Sequence, residues 1–188
     1  MATKVVTGKV RFSYVNVFTP QQRNADEDPK YSVTLLIPKS DEDTVEKILK
    51  AMNEAATNFR EKNGASSLPQ KPTTTLHDGD GMRDGGDPYG SECRGCYVIT
   101  VSSKRKPVIV DAFRNEITDE EELYSGCYGR ASINFYGYNS HGKKGISAGL
   151  LSLQKLSDGE PLSMMGSADD FDDDFKDNTQ ERVDDFLS

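Results

Sequence analysis

The stretch CYGRASINFYGYN, residues 127–139, alternates two kinds of side chain with a period of two. One set of positions is small or apolar and comprises Cys127, Gly129, Ala131, Ile133 and Phe135. The other set is polar and aromatic and comprises Tyr128, Arg130, Ser132, Asn134, Tyr136 and Tyr138. Because successive side chains of a strand point to opposite faces, the pattern predicts a long β-strand with one face in a core and a tyrosine-rich face outside it.

The segments on either side predict a mainly β chain. Runs typical of strands span residues 5–20, 30–38, 96–103, 107–113, 126–138 and 145–156. One helix is predicted over residues 40–62, where apolar residues recur every three or four positions and Ser40 with Asp43 resembles a capping box. Five or six strands with one principal helix indicate a small barrel or sandwich.

Two segments lack any periodic pattern. Residues 64–94 are dense in Gly, Pro, Asp and Thr, which predicts a long loop inserted in the domain. From about Leu162 onward the chain is too polar and charged to offset the entropy of ordering it. The sequence therefore predicts one domain over residues 1–162 and a disordered acidic tail over residues 163–188.

Negative charge is concentrated at the C-terminal end of the chain. The 188 residues have a formal net charge of −8, which by itself argues against binding to nucleic acid. Residues 158–188 hold 11 acidic and two basic residues, a net charge of −9, whereas residues 1–157 hold 21 basic and 20 acidic residues, a net charge of +1. The predicted domain is nearly neutral, so a locally basic surface is compatible with it.

The sequence has no pattern typical of export or membrane insertion. No N-terminal segment has the order of a signal peptide, and no apolar run reaches the roughly 18 to 20 residues of a membrane helix. Three cysteines without an export signal favour reduced thiols over disulfides. We therefore expect a cytoplasmic protein without a membrane partner.

The tyrosine-rich face of residues 127–139 suits single-stranded nucleic acid, because bases stack on aromatic rings while cations contact phosphates. Tyrosines also stabilise sheets through cross-strand pairs without binding any ligand, and clustered basic residues are often only solvated turns. The candidate DNA-binding residues are Arg11, Tyr14, Lys104, Arg105, Lys106, Tyr128, Arg130, Tyr136, Tyr138, Lys143 and Lys144.

Three stretches of the chain resemble a known family. The run YSGCYGRASINFYGYNSHGKKGISAGLLSLQKLSDGEPL, the motif KPVIVDAFRNEI, and the opening GKVRFSYVNVFTP with KYSVTLLIPK are similar to a phage-encoded family allied to the OB-fold single-stranded DNA-binding proteins of bacteriophages. The resemblance covers about residues 4–162. A helix after only two evident strands and the long 64–94 loop depart from a plain five-stranded OB pattern, which leaves the strand order open.

The resemblance implies an OB-fold-like barrel that holds a single strand by stacking and phosphate contacts, without sequence readout. It implies a phage protein of replication or recombination that acts in the bacterial host cell. Neither a cofactor nor nucleotide hydrolysis is implied, and the chain carries no common catalytic motif, so we do not expect an enzyme.

Cysteine spacing raises the alternative of a structural zinc ion. Cys93 and Cys96 have the spacing of half a zinc site, which Cys127, His77 or His141 could complete. A second CxxC pair is absent, and a cysteine on the apolar face of a strand is ordinarily a small hydrophobic residue. We therefore expect no bound metal.

The acidic residues of the 64–94 loop raise a second metal alternative. Asp78, Asp80, Asp84 and Asp87 do not follow the spacing of a calcium-binding EF-hand loop. A two-metal nuclease site built from them would need rigid converging strands rather than one loop. A nuclease is accordingly the third hypothesis.

The predicted tail combines negative charge with apolar residues. We expect it to compete with DNA for a basic groove, and to recruit replication or recombination proteins once DNA displaces it. The residues expected to bind a partner are Phe171, Phe175, Asp184, Asp185, Phe186 and Leu187. In the segment VDDFL, residues 183–187, the apolar spacing allows a helical turn against an apolar pocket ringed by basic residues.

Two alternatives to that role stay open. One is a tail that only improves solubility. The other is an acidic protein-interaction module, a DNA mimic or host-factor inhibitor that does not bind DNA. The sequence leaves homodimerisation undecided.

Overall fold

The computed structural model describes residues 3–83, 85–140 and 142–162. The elements in chain order are β1 (Lys4–Val6), β2 (Val10–Gln21), β3 (Lys30–Pro38), α1 (Glu42–Asn63), β4 (Thr73–Thr74), β5 (Leu76–Asp78), β6 (Cys96–Ser103), β7 (Val108–Val110), β8 (Tyr128–Ser140) and β9 (Lys143–Ser157). A short 3-10 turn at Ser91–Cys93 precedes β6. In the described part of the chain, helix α1 is not long and apolar enough to cross a membrane.

Five strands close a ring. β2 pairs antiparallel with β3, β3 with β6, and β8 with both β2 and β9. A parallel contact between β6 and β9, at Ser102 and Gly149, completes the circuit. Counted along the chain, these five strands follow the ring order first, second, third, fifth, fourth. The fold is therefore mainly β and OB-fold-like with one principal helix, as predicted.

The interior of the ring is filled by side chains at alternating strand positions. Val33, Leu35 and Ile37 of β3 are completely buried, and Phe12 of β2 and Phe135 of β8 are at most 2% exposed. Helix α1 packs its apolar face on the same core through Ile48, Ala51, Met52, Ala55 and Ala56. Burying each large side chain contributes about 1.5 to 3 kcal/mol, so this core supplies most of the stability.

The alternation predicted for residues 127–139 is confirmed in β8. Its small and apolar positions are buried and its polar and aromatic positions face outward or are half-buried. Gly129 is one of the buried positions because a Cβ there would meet the ring of Phe12 and the carbonyl oxygen of Gln154. A glycine in this strand thus allows β8 to lie close to both neighbours.

Helix α1 matches the predicted position, but the predicted cap is wrong by one residue. The N-cap is Asp41, whose carboxylate accepts hydrogen bonds from the backbone N–H of Thr44 at 3.2 Å and from its hydroxyl at 2.6 Å. The Thr44 hydroxyl oxygen also accepts the backbone N–H of Gly8 at 2.9 Å. Asp41 caps the helix in place of Ser40 because its carboxylate accepts a backbone N–H of the first turn, which would otherwise lack a partner. Through Thr44 it also connects the start of the helix to the β1–β2 connection.

The predicted strand over residues 5–20 is divided into β1 and β2. β1 pairs with β8, and the chain turns at Gly8, where a Cβ would collide with the Asp41 carboxylate. Within β2 the register shifts between Ser13 and Asn16, which is a β-bulge. The alternation of core-facing side chains that begins with Val10 and Phe12 consequently ends at the bulge, because both are buried whereas Tyr14 is exposed.

The segment predicted to be a structureless loop, residues 64–94, carries β4 and β5. β4 pairs parallel with β9, and β5 pairs antiparallel with β6. β6 and β9 contact each other at a single register position, so the inserted segment occupies the seam between them. The loop prediction is wrong in this part because backbone groups at an open seam need hydrogen-bond partners, which the insertion supplies.

Candidate nucleic-acid interface

A polar groove crosses the outer face of β3 and β6. Its floor consists of short hydroxyl side chains, with Ser32 opposite Ser102 and Thr34 opposite Thr100. The hydroxyls of Thr34 and Thr100 lie 3.1 Å apart and share a hydrogen bond. The main cavity has a volume of about 500 Å³, and a second of about 230 Å³ continues it past Ser32 and Thr100. The short side chains leave room for flat ligands above the sheet.

Tyr14 forms one wall of this groove. It lies at the β2 bulge with a φ of 46°, in the left-handed region that non-glycine residues rarely adopt, and its side chain is 60% exposed. Such a backbone conformation costs on the order of 1 to 3 kcal/mol and is concentrated at functional sites. The bulge therefore directs an aromatic ring out of the core and into the groove.

The opposite wall comes from the insertion. The guanidinium carbon of Arg83 lies 5.1 Å from the ring centroid of Tyr89, in a cation–π arrangement. Hydrogen bonding with the side chain of Tyr14 is the main cause that raises the pKa of Arg83 above its ordinary value. Tyr14, Arg83 and Tyr89 thus form a tyrosine, arginine, tyrosine array at the groove, which we call the aromatic clamp.

Basic residues line the far end of the groove. The second cavity is bordered by Arg23 and Lys30, together with Glu27 and Asp28. Lys104 contacts Asp28 at 3.0 Å, and this hydrogen-bonded ion pair lowers the pKa of Asp28. The groove thus has a cationic end with two carboxylates in it.

Of the predicted basic cluster 104–106, Lys104 lies beside the groove through this ion pair. Lys106 places its ammonium nitrogen 5.9 Å from the ring centroid of Phe18, on β2. Arg105 is exposed, and its backbone N–H donates to the Ser103 hydroxyl at 3.0 Å. The cluster as a whole follows the end of β6.

Tyr136, Tyr138, Lys143 and Lys144 lie together on the β8–β9 hairpin. Tyr136 pairs with Ser147 and is 43% exposed, and Tyr138 pairs with Gly145. Lys143 and Lys144 begin β9 and are exposed. A Cβ at Gly149 would lie 3.6 Å from Cε1 of Tyr136 and 3.8 Å from the carbonyl oxygen of Ser102 on β6. The outer face with Tyr136 therefore continues across β9 to the edge of the groove floor.

The other predicted residues make protein contacts elsewhere. Arg11 donates to the carbonyl oxygens of Gly126, at 3.0 Å, and Glu160, at 2.6 Å, and its guanidinium lies 5.5 Å from the ring centroid of Tyr128. Arg130 donates to the carbonyl oxygen of Thr7 at 3.0 Å. The structure thus brings Tyr14 and Lys104 to the groove, whereas Arg11, Tyr128 and Arg130 lie apart from it. The DNA-binding role of all the predicted residues stays a prediction.

The last described residues run beside the groove wall. Leu162 donates its backbone N–H to the carbonyl oxygen of Ser125 at 2.9 Å and packs on a small cluster of Leu36, Cys93 and Val98. These three cluster residues also line the main cavity. The predicted tail, including Phe171, Phe175, Asp184, Asp185, Phe186 and Leu187, lies outside the described residues.

The three cysteines lie at separate places. Cys127 belongs to the main core and Cys93 to the cluster under Leu162, while Cys96 is half-buried. Burial raises the pKa of all three thiols, which disfavours the thiolates that bind zinc. Among residues 3–83, 85–140 and 142–162, no group of three or more His, Cys, Asp or Glu residues is placed to hold a metal ion.

Lys39 occupies the position between two of the acidic loop residues. Its ammonium nitrogen lies 2.7 Å from a carboxylate oxygen of Asp78 and 2.7 Å from one of Asp80. Hydrogen bonding with Lys39 lowers the pKa of both carboxyl groups. This arrangement fastens the insertion to the end of β3, which is a structural use of the two carboxylates.

Sequence reasoning missed Arg23, Lys30, Arg83 and Tyr89 as groove residues. Arg83 and Tyr89 lie in the insertion, whose residues show no hydrophobic periodicity that would predict strands. Arg23 lies in the connection between β2 and β3, and Lys30 begins β3. The available signal was an aromatic and a basic residue within a Gly- and Asp-rich segment, at MRDGGDPYG, residues 82–90. Their position on the sheet depended on the pairing of β5 with β6.

The model of one protein family matches almost the whole chain. This family is described as Enterobacter phage Enc34, ssDNA-binding protein, and it matches residues 3–187. The protein p50 of Acyrthosiphon pisum secondary endosymbiont phage 1 is 30% identical over 175 residues, covering 90% of this chain and 93% of that protein.

Solved structures of phage proteins are similar in fold. The single-stranded DNA-binding protein from bacteriophage Enc34 in complex with ssDNA has a TM-score of 0.71 and 29% identity, over 86% of this chain and 90% of that chain. A further structure of the single-stranded DNA-binding protein from bacteriophage Enc34 has a TM-score of 0.71 and 29% identity, over 90% of each chain. The single-stranded DNA-binding protein gp2.5 of bacteriophage T7 has a TM-score of 0.57 and 17% identity, over 93% and 96%, a likeness of fold alone.

Proposed function

Because the chain belongs to the Enc34 phage single-stranded DNA-binding protein family, we propose that it binds single-stranded DNA in the groove over β3 and β6. The observation that carries the proposal is the aromatic clamp of Tyr14, Arg83 and Tyr89 above a floor of hydroxyl side chains. Bases stack on the tyrosines, and Arg83 contacts a phosphate or stacks on a base. Such contacts bind any sequence because every base has a flat face.

The path of the strand follows from the cations along the groove. From the clamp it passes over Ser32 and Thr100 towards Arg23, Lys30 and Lys104. Arg105 and Lys106 extend this basic end. On the other side, Tyr136 and Tyr138 with Lys143 and Lys144 form a second stacking surface on the hairpin. Of the remaining predicted residues, Arg11 and Arg130 contribute through long-range charge, and Tyr128 packs against the Arg11 guanidinium.

The acidic tail regulates binding in this proposal. Residues 163–188 follow Leu162, which packs beside the groove wall, so the tail is tethered next to the site for which it competes. A bound strand displaces the tail, whose Phe171, Phe175, Asp184, Asp185, Phe186 and Leu187 then contact replication or recombination proteins in the bacterial host cell. We propose a division into a binding domain at 1–162 and a regulatory tail at 163–188.

The experiment is a titration of labelled oligothymidine and of duplex DNA with the full chain and with a chain ending at Ser167. We expect both proteins to prefer the single strand, and the shorter one to bind more tightly and with less discrimination. Four groove cations, Arg23, Lys30, Arg83 and Lys104, predict a slope of about −3 for the logarithm of the binding constant against that of salt concentration.

The outcome separates the two classes of function. If neither protein binds oligothymidine at low salt, the DNA-binding proposal is wrong and the acidic protein-interaction module takes its place. If truncation leaves affinity and discrimination unchanged, the tail does not compete for the groove, although the groove still binds DNA.

A further inference from the structure

A further cavity, of about 420 Å³, lies outside the groove, between β1, α1 and β8. It is an apolar pocket ringed by basic side chains, and the residues that line it are Lys4, Val5, Val6, Lys47, Lys50 and Arg130. Val6 is 43% exposed, so apolar surface is accessible between the cations. We call this surface the basic pocket.

The cations of the basic pocket are largely uncompensated. Lys50 contacts Glu46 of the same helix at 2.9 Å. The salt bridges in the described part of the chain engage neither Lys4, Lys47 nor Arg130. The guanidinium of Arg130 is instead fixed by its hydrogen bond to the Thr7 carbonyl oxygen. Four cations around the accessible side chain of Val6 select a ligand that is anionic and partly apolar.

The basic pocket and the groove are on opposite sides of the ring. The pocket lies on β8 and β1, whereas the floor of the groove is β3 and β6, each two strands away from β8 around the ring. The two cavities share no lining residue. A ligand in the basic pocket therefore does not compete for space with a strand in the groove.

The chain itself contains a segment with the matching chemistry. Residues 168–188, ADDFDDDFKDNTQERVDDFLS, combine nine acidic residues with phenylalanine, valine and leucine between them. We propose that the basic pocket binds the acidic tail of a second copy of this chain. A strand in the groove displaces each tail, and the freed tail docks on the neighbouring copy along the same DNA. The inference rests on the proposed function, because DNA is what releases the tail.

Charge and apolar contact favour this occupant over a nucleic acid. A phosphate backbone would use the four cations but gain nothing from the exposed surface of Val6, whereas the phenylalanines of the tail bury against it. A neighbour on the same strand also presents its tail at high effective concentration. The expected result is cooperative binding along single-stranded DNA.

The first test measures binding of a labelled peptide of residues 168–188 to the chain ending at Ser167. That chain keeps every described core residue and folds on its own by this criterion. We expect the peptide to bind with and without saturating oligothymidine. We expect Lys47→Glu to weaken peptide binding by about fivefold, because an exposed attraction between Lys47 and the acidic peptide becomes a repulsion. Lys62→Glu is the control, since it makes the same charge change at the other end of α1.

The results of the peptide test distinguish binding in the groove from binding in the basic pocket. Loss of peptide binding on addition of oligothymidine, with Lys47→Glu and Lys62→Glu equal, would assign the peptide to the groove and overturn the inference. Peptide binding that depends on Lys47, in a chain that does not bind oligothymidine, would support the pocket while the proposed function fails.

The second test uses the full chain on oligothymidines of increasing length. We expect cooperative binding as soon as two copies fit, loss of the cooperativity in Lys47→Glu, and its retention in Lys62→Glu. Unchanged cooperativity in Lys47→Glu would mean that the pocket holds the tail of its own chain or none, and would contradict binding between copies.

Discussion

At the residue scale, Tyr14 combines a strained backbone with an exposed aromatic side chain. Its side chain is 60% exposed, so the ring adds little to the core, yet the backbone holds it in an unfavourable conformation. The cost is offset by the surrounding pairing of β2 with β3. A residue with this combination is better explained by ligand contact than by stability.

We predict that Tyr14→Ala weakens oligothymidine binding by about 1 to 3 kcal/mol, the value of one stacked base, and that Tyr14→Phe retains most of the affinity. Fluorescence anisotropy measures the binding, and urea unfolding checks that the free energy of unfolding is not lowered. Phe113→Ala is the matched control, because Phe113 is an aromatic side chain 85% exposed outside the groove. Equal affinities for Tyr14→Ala and the wild-type chain would exclude Tyr14 from the site.

At the element scale, the packing of β8 decides how the ring closes. β8 pairs with three strands, β1, β2 and β9, so it connects β2 to β9 in the ring. Gly129 permits this approach because its missing side chain leaves room for the Phe12 ring. Gly149, in β9, has ordinary space around it.

We predict that Gly129→Ala lowers the free energy of unfolding by about 1 to 3 kcal/mol through overpacking, since Phe12 and the β9 backbone are fixed in the core. Urea denaturation followed by tyrosine fluorescence measures the change. Gly149→Ala makes the same chemical change without a collision and is expected to alter stability much less. Similar losses in the two variants would show that strand propensity, rather than close packing, determines the effect.

At the scale of the whole molecule, the described core and most of the concentrated negative charge belong to different parts of the chain. Both hydrophobic clusters lie within residues 5–162, and the concentrated negative charge follows them. The described core contacts therefore involve no residue beyond Leu162. In the proposed function, this separation lets DNA displace the tail without unfolding the domain.

We predict that the free energy of unfolding of a chain ending at Ser167 lies within about 1 kcal/mol of that of the full chain, since truncation removes no described core contact and the removed residues are mostly polar and charged. Matched urea titrations of the two proteins at moderate salt provide the measurement. A loss of several kcal/mol on truncation would contradict the predicted division at residue 162, because the tail would then be part of the folded core.

Most secondary-structure elements of the fold could be predicted from local patterns in the sequence. The period of two in β8, the helical period of α1 and the charge of residues 158–188 are properties of neighbouring residues, so they could be predicted from the sequence. The strand register at Tyr14 could not, because a bulge depends on which residues of β3 lie opposite. The cap at Asp41 likewise depended on the distant Gly8.

The sequence by itself determined most of the strands, the helix and the acidic charge at the C-terminal end, because hydrophobic periodicity and charge act over short separations along the chain. Only the tertiary structure decided which of the predicted residues share a surface. It joined Tyr14 to Arg83 and Tyr89, took Arg130 to the far side with Lys47, and used residues 64–94 to close the seam between β6 and β9. Those juxtapositions arise from pairing between distant strands, and no local pattern encodes them.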